Sequence, residues 1–214
     1  MPETDILNET SEGGVPFIGV NRHRIGVDGE GVTTLAAFHG CPLRCRYCLN
    51  PSCLDIDARV RRFTPETLYQ ELLIDDLYFV ATGGGVCFGG GEPLLRIDFI
   101  EAFRALCGKS WNLTAETSLQ VPAESVRRAC AVVGDFIVDI KESDPDIYRA
   151  YTGGDARRAW DNLRLLLSLV GPEHVTVRVP LIPSFNSEAD TDRTADRLAA
   201  LGVTRLDRFT YRVQ

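Results

Sequence analysis

The chain has 214 residues, 44% of them hydrophobic, and carries a formal net charge of −7. That length supports one sizeable core and one domain, no apolar run is long enough to cross a bilayer, and the acidic balance argues against a general nucleic-acid binder. The first residues are acidic and polar and lack the basic and apolar segments of a signal peptide; the seven cysteines are therefore expected in a reducing cytoplasm, as thiols or metal ligands rather than disulfides.

Residues 1–16 read as an N-terminal extension and 17–214 as a single domain. Within it, strand-like and helix-like segments alternate. Thr33 to His39 is a short apolar strand that runs straight into a cysteine-rich loop. Thr64-Pro65-Glu66 starts a helix, with Thr64 as cap and proline at the first helical position, and the pattern carries it to about Asp76. Gly85 to Phe88 is a buried strand, and Ile97, Ile100, Phe103 and Leu106 then recur at helical spacing. Trp111 to Thr117 is a strand, Pro122 to Cys130 a helix, and Phe136 to Ile140 a strand. Asp144-Pro145 caps a short helix, and Trp160, Leu163, Leu167 and Val170 mark a longer one. Val175 to Leu181 is a strand, Ser187 to Leu201 a helix and Leu206 to Val213 a final strand. Such alternation predicts an α/β fold, a parallel sheet with helices packed outside. About six βα units are too few for a closed eight-stranded barrel, so the expected architecture is a partial (β/α)6 TIM-like barrel. Its chemistry belongs at the C-terminal strand ends.

The residues able to do chemistry fall at those ends. Cys41, Cys45 and Cys48 follow the first strand at C-x3-C-x2-C spacing. Three thiolates are one ligand short for tetrahedral zinc or for a fully ligated iron–sulfur cube. A [4Fe–4S] cluster on this loop keeps one iron open to bind and reduce something. The alternative is zinc, with Cys53 or His39 as fourth ligand. Cys53, Cys87, Cys107 and Cys130 share no ligand spacing and read as small core or surface residues. Gly89-Gly90-Gly91-Glu92-Pro93 follows the second strand. Its glycines let backbone approach a ligand closely, and no Gly-Lys-Ser/Thr ending marks it as a phosphate loop. Glu116-Thr117-Ser118 ends the third strand, Asp139-Ile140-Lys141 ends the fourth, and Arg178 lies within the fifth. Charge is uneven as well. Residues 22–62 hold seven arginines (Arg22, Arg24, Arg44, Arg46, Arg59, Arg61 and Arg62) against four acids. This is either a solvated face or a docking face for an acidic electron donor beside the cysteine loop.

The cysteine spacing resembles that of the radical S-adenosylmethionine (SAM) superfamily. Gly83 to Val86 with Glu92-Pro93, Val138-Asp139-Ile140-Lys141, and Val177-Arg178-Val179-Pro180 with Ile182-Pro183 are similar to the glycyl-radical-enzyme activating enzymes, the pyruvate formate-lyase-activating group. The resemblance spans about residues 32–212. It implies a [4Fe–4S] cluster on Cys41, Cys45 and Cys48, with SAM on the open iron. It implies SAM contacts from Tyr47, Gly90, Gly91, Glu92, Lys141 and Arg178. It also implies that Asp139, Glu116 and Thr117 surround SAM and a monovalent cation. The implied activity is anaerobic: reductive cleavage of SAM to a 5′-deoxyadenosyl radical, with Lys141 and the three cysteines at the reacting centre, and removal of a glycine hydrogen from a partner glycyl radical enzyme. The implied electron donor is flavodoxin or ferredoxin, with no nucleic acid or membrane involved. Two rival readings remain, a radical SAM enzyme acting on a small molecule or peptide (deazaguanine-synthase-like) and a non-enzymatic metal-binding interaction module. The chain departs from the group's usual pattern in three places. Glu116-Thr117-Ser118 replaces Asp-Thr-Asn-Gly. Arg212 stands nearest the histidine of a C-terminal Tyr-His-x-Leu-Gly stretch. No eight-cysteine ferredoxin insert follows Cys48, which implies a single cluster.

Overall fold

Side chains of a strand alternate between its two faces, and here the alternation separates packing from chemistry. A computed structural model describes residues 13–211. Its strands are β1 (Val15–Ile25), β2 (Val32–Phe38), β3 (Arg61–Phe63), β4 (Gly85–Gly90), β5 (Asn112–Thr117), β6 (Asp135–Asp139), β7 (Val175–Leu181) and β8 (Arg205–Thr210). They form one sheet in the order β3-β1-β2-β4-β5-β6-β7-β8. From β2 to β8 every neighbour is parallel, whereas β1 is antiparallel to both β2 and β3. Six parallel strands in an open sheet are the expected partial barrel.

On the outer face Ala36, Phe38, Val86, Phe88, Leu113, Ala115, Phe136, Val138, Val175 and Val177 join the main core. They pack under α1 (Pro65–Leu72), α2 (Asp76–Thr82), α3 (Ile97–Cys107), α4 (Ala123–Val132), α5 (Pro145–Thr152), α6 (Ala156–Val170) and α7 (Glu188–Ala200). The inner face has only a small apolar cluster, Leu35, Ala37 and Cys87 with Ile18 against it. Most of its other positions are polar, among them Thr114, Glu116, Asp139, Thr176 and Arg178, with Ile137 an apolar exception. The barrel interior is thus left for ligands and charge. Among the described residues no helix is long and apolar enough to cross a membrane.

Two elements differ from the sequence reading. The β1 strand begins at Val15, inside the segment read as an extension, and Val15 pairs with Phe63; residues 1–12 lie outside the described residues. The helix expected to end near Asp76 is divided into α1, a 3-10 turn Leu73–Asp75, and α2. The turn carries Asp75 inward, where it is fully buried. Arg22 Nε and Nη2 donate to its carboxylate at 2.6 and 2.5 Å, and His23 Nε2 lies 2.9 Å away. These contacts fix the polar far end of β1 to the helix layer.

Arg22, first, and then His23 hold the Asp75 carboxyl below the usual carboxylate range, while burial opposes them. A group with a depressed folded pKa stabilises above its unfolded pKa and loses that contribution as pH falls through the folded value. Asp75→Asn is therefore expected to lower stability by about 2 kcal/mol at pH 7. Urea unfolding of both proteins from pH 7 to pH 3 should show the gap closing as the wild-type carboxylate protonates; a gap independent of pH contradicts the assignment.

Candidate active site

The cysteine loop leaves the end of β2 and is held by backbone on several sides. Arg44 N–H donates to Thr152 O at 2.8 Å and Arg46 N–H to Tyr151 O at 3.1 Å, so the C-terminal end of α5 supports it. Its base is sealed to the glycine-rich segment after β4. Gly91 N–H donates to Phe38 O and Glu92 N–H to Gly40 O, both at 2.9 Å. A Cβ on Gly91 would lie 2.0 Å from Gly40 O, and Gly90 has φ +87° with Ala37 against it. Both positions need glycine because the two loops touch backbone to backbone.

Cys41, Cys45 and Cys48 line one cavity together with Gly90, Gly91, Glu116, Thr117, Asp139 and Lys141. Leu43, Leu49, Asn50, Ser118 and Tyr211 complete its wall. Burial raises the Cys41 thiol, with the Glu92 charge adding to it. Burial also pushes Cys45 up to about 11, against the opposing pull of Lys141. Cys48 is lowered to about 6, chiefly by a hydrogen bond with the Cys53 side chain.

Lys141 is buried at the end of β6. Its Nζ donates to Asp139 Oδ2 at 2.9 Å and to Tyr211 Oη at 3.0 Å. Burial, the largest influence, pulls this ammonium down, but Asp139, Tyr211 and Cys45 together hold it well above its ordinary value. It is therefore charged throughout the neutral range. The next residue, Glu142, is 1% exposed and accepts from Ser143 N–H, Asp144 N–H, Thr194 Oγ1 and Asn186 Nδ2. That knot fixes the strand end from which Lys141 projects.

Glu116 and Asp139 extend the charge pattern. Burial raises the Glu116 carboxyl first, Asp139 adds to it, and Arg178 opposes. Arg178 pairs with Glu116, donates to Val27 O at 3.1 Å, and lies 3.4 Å from Asp207. Two cations, Lys141 and Arg178, are thus matched by two carboxylates, Asp139 and Glu116, on three neighbouring strands.

The other residues singled out from sequence take different places. Arg178 lines a second cavity rather than the first, and its ion-pair partner Glu116 lines the first. Glu92 is 1% exposed and is not in the cavity wall. Its carboxylate accepts from Thr117 Oγ1 at 2.6 Å, Ser118 N–H at 2.9 Å, Ser118 Oγ at 2.6 Å and Leu94 N–H at 3.2 Å. The Thr117 hydroxyl is thereby committed to Glu92. Tyr47 packs against Tyr151 and Phe185 in an aromatic cluster that also holds Tyr211 and Cys45. His39 Nε2 lies 2.9 Å from Asp55 O. Arg212 lies outside the described residues. The arginine-rich stretch is divided: Arg44 and Arg46 are exposed beside Cys45, whereas Arg22 and Arg24 sit at the opposite strand end, paired with Asp75 and Asp28. Tyr211 and Glu142 join the site without having been singled out from the sequence. An acid directly after Lys141 was a signal for Glu142; nothing local marked Tyr211.

A mononuclear tetrahedral thiolate site brings sulfurs within about 4 Å of one another. Among the described residues, the set of three acidic, cysteine or histidine ligand atoms all within 4.8 Å of one another is Asp28, Cys87 and Glu116, not the loop cysteines. Three soft thiols spread around one cavity wall, beside bare glycine backbone and paired charges, fit a multi-iron cluster and an amino-acid ligand better than a single ion.

Residues 36–198 match the model of the radical SAM superfamily. The class of protein is thus an enzyme of the radical SAM type. The chain is 32% identical over 167 residues to the pyruvate formate-lyase-activating enzyme of Clostridium pasteurianum, covering 78% of this chain and 69% of that one. It is 30% identical over 213 residues to the pyruvate formate-lyase 2-activating enzyme of Escherichia coli, covering 84% and 71%. The chain belongs to the radical SAM superfamily, in the family of the pyruvate formate-lyase-activating enzymes. Among solved structures, a domain of pyruvate formate-lyase-activating enzyme from Bacteroides vulgatus matches with TM-score 0.50 and 25% identity, over 59% of this chain and 78% of that one. Streptococcus suis SuiB bound to SAM shares the fold, with TM-score 0.63 and 15% identity over 82% of this chain; the match covers 39% of the SuiB chain. The family implies a [4Fe–4S] cluster and SAM, and the donor set above accommodates both.

Gly91→Ala is expected to force the cysteine loop off its backbone seat. Cluster loading after anaerobic reconstitution, read as iron per chain, should fall at least fivefold while far-ultraviolet circular dichroism is retained. Full loading contradicts the role given to that contact.

Proposed function

We propose that this protein is a glycyl-radical-enzyme activase: it cleaves SAM reductively and removes a hydrogen atom from a glycine Cα of a partner enzyme. The observation that carries the reading is the convergence of Cys41, Cys45 and Cys48 on the same cavity as Gly90, Gly91, Glu116, Asp139 and Lys141. The names of the curated relatives supply the target class.

In this reading Cys41, Cys45 and Cys48 hold the cluster. When bound, the cluster supplies the one electron that breaks the S–C5′ bond of SAM, giving methionine and the 5′-deoxyadenosyl radical that becomes 5′-deoxyadenosine on taking the glycine hydrogen. The protein's part is orientation and exclusion of water. Gly90 and Gly91 offer backbone without side chains, so an ammonium group can approach their carbonyls. Lys141 stays protonated, clamped by Asp139 and Tyr211, and presents a fixed positive charge to a carboxylate. Asp139 and Glu116 are acceptors for hydroxyl groups and are the carboxylates from which a monovalent cation would be bound. Arg178 acts through Glu116, holding that carboxylate in place.

Leu49 lines the cavity yet is 71% exposed, and Ile56 on the following segment is 80% exposed. An apolar rim of this kind suits a protein segment entering the cavity. The exposed Arg44 and Arg46 beside Cys45 suit an acidic electron donor such as flavodoxin or ferredoxin. Seven free cysteines suit a reducing cytoplasm.

The test is electron paramagnetic resonance on a glycyl radical enzyme of the host mixed anaerobically with this protein, SAM and reductant. A glycine-centred doublet is expected only when all are present, with 5′-deoxyadenosine formed. Cys45→Ala should reduce both to background. Deoxyadenosine without a glycyl signal on any such enzyme would shift the assignment to a smaller substrate.

A further inference from the structure

An ammonium group carries three N–H donors, and two of those on Lys141 are accounted for. Its Nζ donates to Asp139 Oδ2 at 2.9 Å and to Tyr211 Oη at 3.0 Å. The third remains for whatever occupies the cavity that Lys141 lines. Tyr211 is the less obvious half of this pair. It stands just past the end of β8, where its backbone N–H donates to Leu181 O at 2.9 Å. Its ring packs against Tyr151 and Phe209, with centroids 6.2 and 5.2 Å away. An ammonium cannot accept, so the phenol oxygen is the acceptor in the contact with Lys141 and its own O–H proton is left to go elsewhere. Among the described residues no acceptor receives that proton, and the neighbouring hydroxyl, on Tyr151, is itself buried without a hydrogen-bond partner. Tyr211 lines the same cavity as Lys141.

We infer that Tyr211 is a SAM-binding residue whose hydroxyl donates to the SAM carboxylate beside the Lys141 ammonium. The inference rests on the radical SAM reading given under Proposed function. The two groups are 3.0 Å apart, close enough for both to serve one carboxylate. The other polar side chains of the wall are otherwise engaged. The Thr117 and Ser118 hydroxyls donate to Glu92. Asn50 Nδ2 is turned to Gly90 O at 3.4 Å. Asp139 and Glu116 are carboxylates and repel another. Arg178, for which the resemblance implies a SAM contact, lines the second cavity and is paired with Glu116. A phenol suits the vacant role because it adds a donor without adding charge beside Lys141. Its aromatic packing also fixes its direction before a ligand arrives. The rival role for Tyr211 is only to accept from Lys141 and aim that ammonium.

The test measures binding rather than turnover, by anaerobic calorimetry on the reconstituted protein with SAM and with decarboxylated SAM, which lacks the carboxylate. Tyr211→Phe should raise the Kd for SAM about tenfold and leave that for decarboxylated SAM within about twofold of wild type. Replacing Tyr211 by 3-fluorotyrosine, at a pH where the phenol stays protonated, separates the two roles by sign. Fluorine makes the phenol a stronger donor and a weaker acceptor. A hydroxyl that donates to the carboxylate should then bind SAM more tightly than wild type, whereas one that only accepts from Lys141 should bind it no better or more weakly. An unchanged SAM affinity in Tyr211→Phe overturns the inference, as does an equal loss for both ligands or a fluorotyrosine protein that gains no affinity. If Tyr211→Phe fails to fold, or decarboxylated SAM binds too weakly to measure, the fluorotyrosine protein decides alone by the same sign. A wild type that gains no iron–sulfur absorbance and binds no SAM defeats the functional reading itself; a wild type that binds SAM, with unaltered variants, defeats this inference alone.

Discussion

A buried carboxylate, Glu92, ties together three segments that are far apart in sequence. Its backbone N–H donates to Gly40 at the root of the cysteine loop. Its side chain receives Thr117 and Ser118 from the end of β5 and Leu94 from the turn that follows. Burial pushes the carboxyl up, and the four donors oppose that by stabilising the charge. A carboxylate taken out of water is tolerable only when its lone pairs are occupied, and here every donor belongs to the framework of the site. The glutamate of the glycine-rich run therefore works from behind the cavity. It holds the glycines against the cysteine loop and the Thr117-Ser118 backbone beside them.

The second organising feature is the division of labour between the two faces of each strand. Outward residues are almost all apolar and give the sheet a dry seat under the helices. Inward residues on β5, β6 and β7 are mostly polar or charged, Ile137 excepted, and the charges pair with one another across the sheet. Arg178 restrains Glu116, Asp139 restrains Lys141, and Tyr211 from beyond β8 bonds Lys141 from the other side. Such a wall is rigid before any ligand arrives, so little reorganisation is needed when charge is placed in the cavity.

Much of this was legible in the sequence because it depends on local periodicity. The six parallel strands and most of the helices follow from alternating patterns, and the cysteines, glycines, Asp139 and Lys141 stand at strand ends where a parallel barrel puts its chemistry. The β1 strand was not legible. Its run Asn21-Arg22-His23-Arg24 is polar and half exposed, and it is a strand because of pairing to β2 and the Asp75 anchor. The break between α1 and α2 has the same cause, a distant partner for one acid. For Arg178 the resemblance implies a SAM contact. Its direction depends on Glu116, 62 positions away, which no local pattern shows. Tyr211 has no sequence signature at all, since it owes its place to a strand end meeting residues remote from it.

The central claim is that three cysteines hold a cluster whose fourth iron is left for SAM. Mössbauer spectroscopy of protein reconstituted with 57Fe, recorded with and without SAM, tests it most directly. The account predicts a [4Fe–4S] spectrum in which one iron in four changes its parameters on adding SAM while the other three do not. Four equivalent irons unaffected by SAM, or a protein that takes up a single zinc and no iron–sulfur cluster, would contradict it.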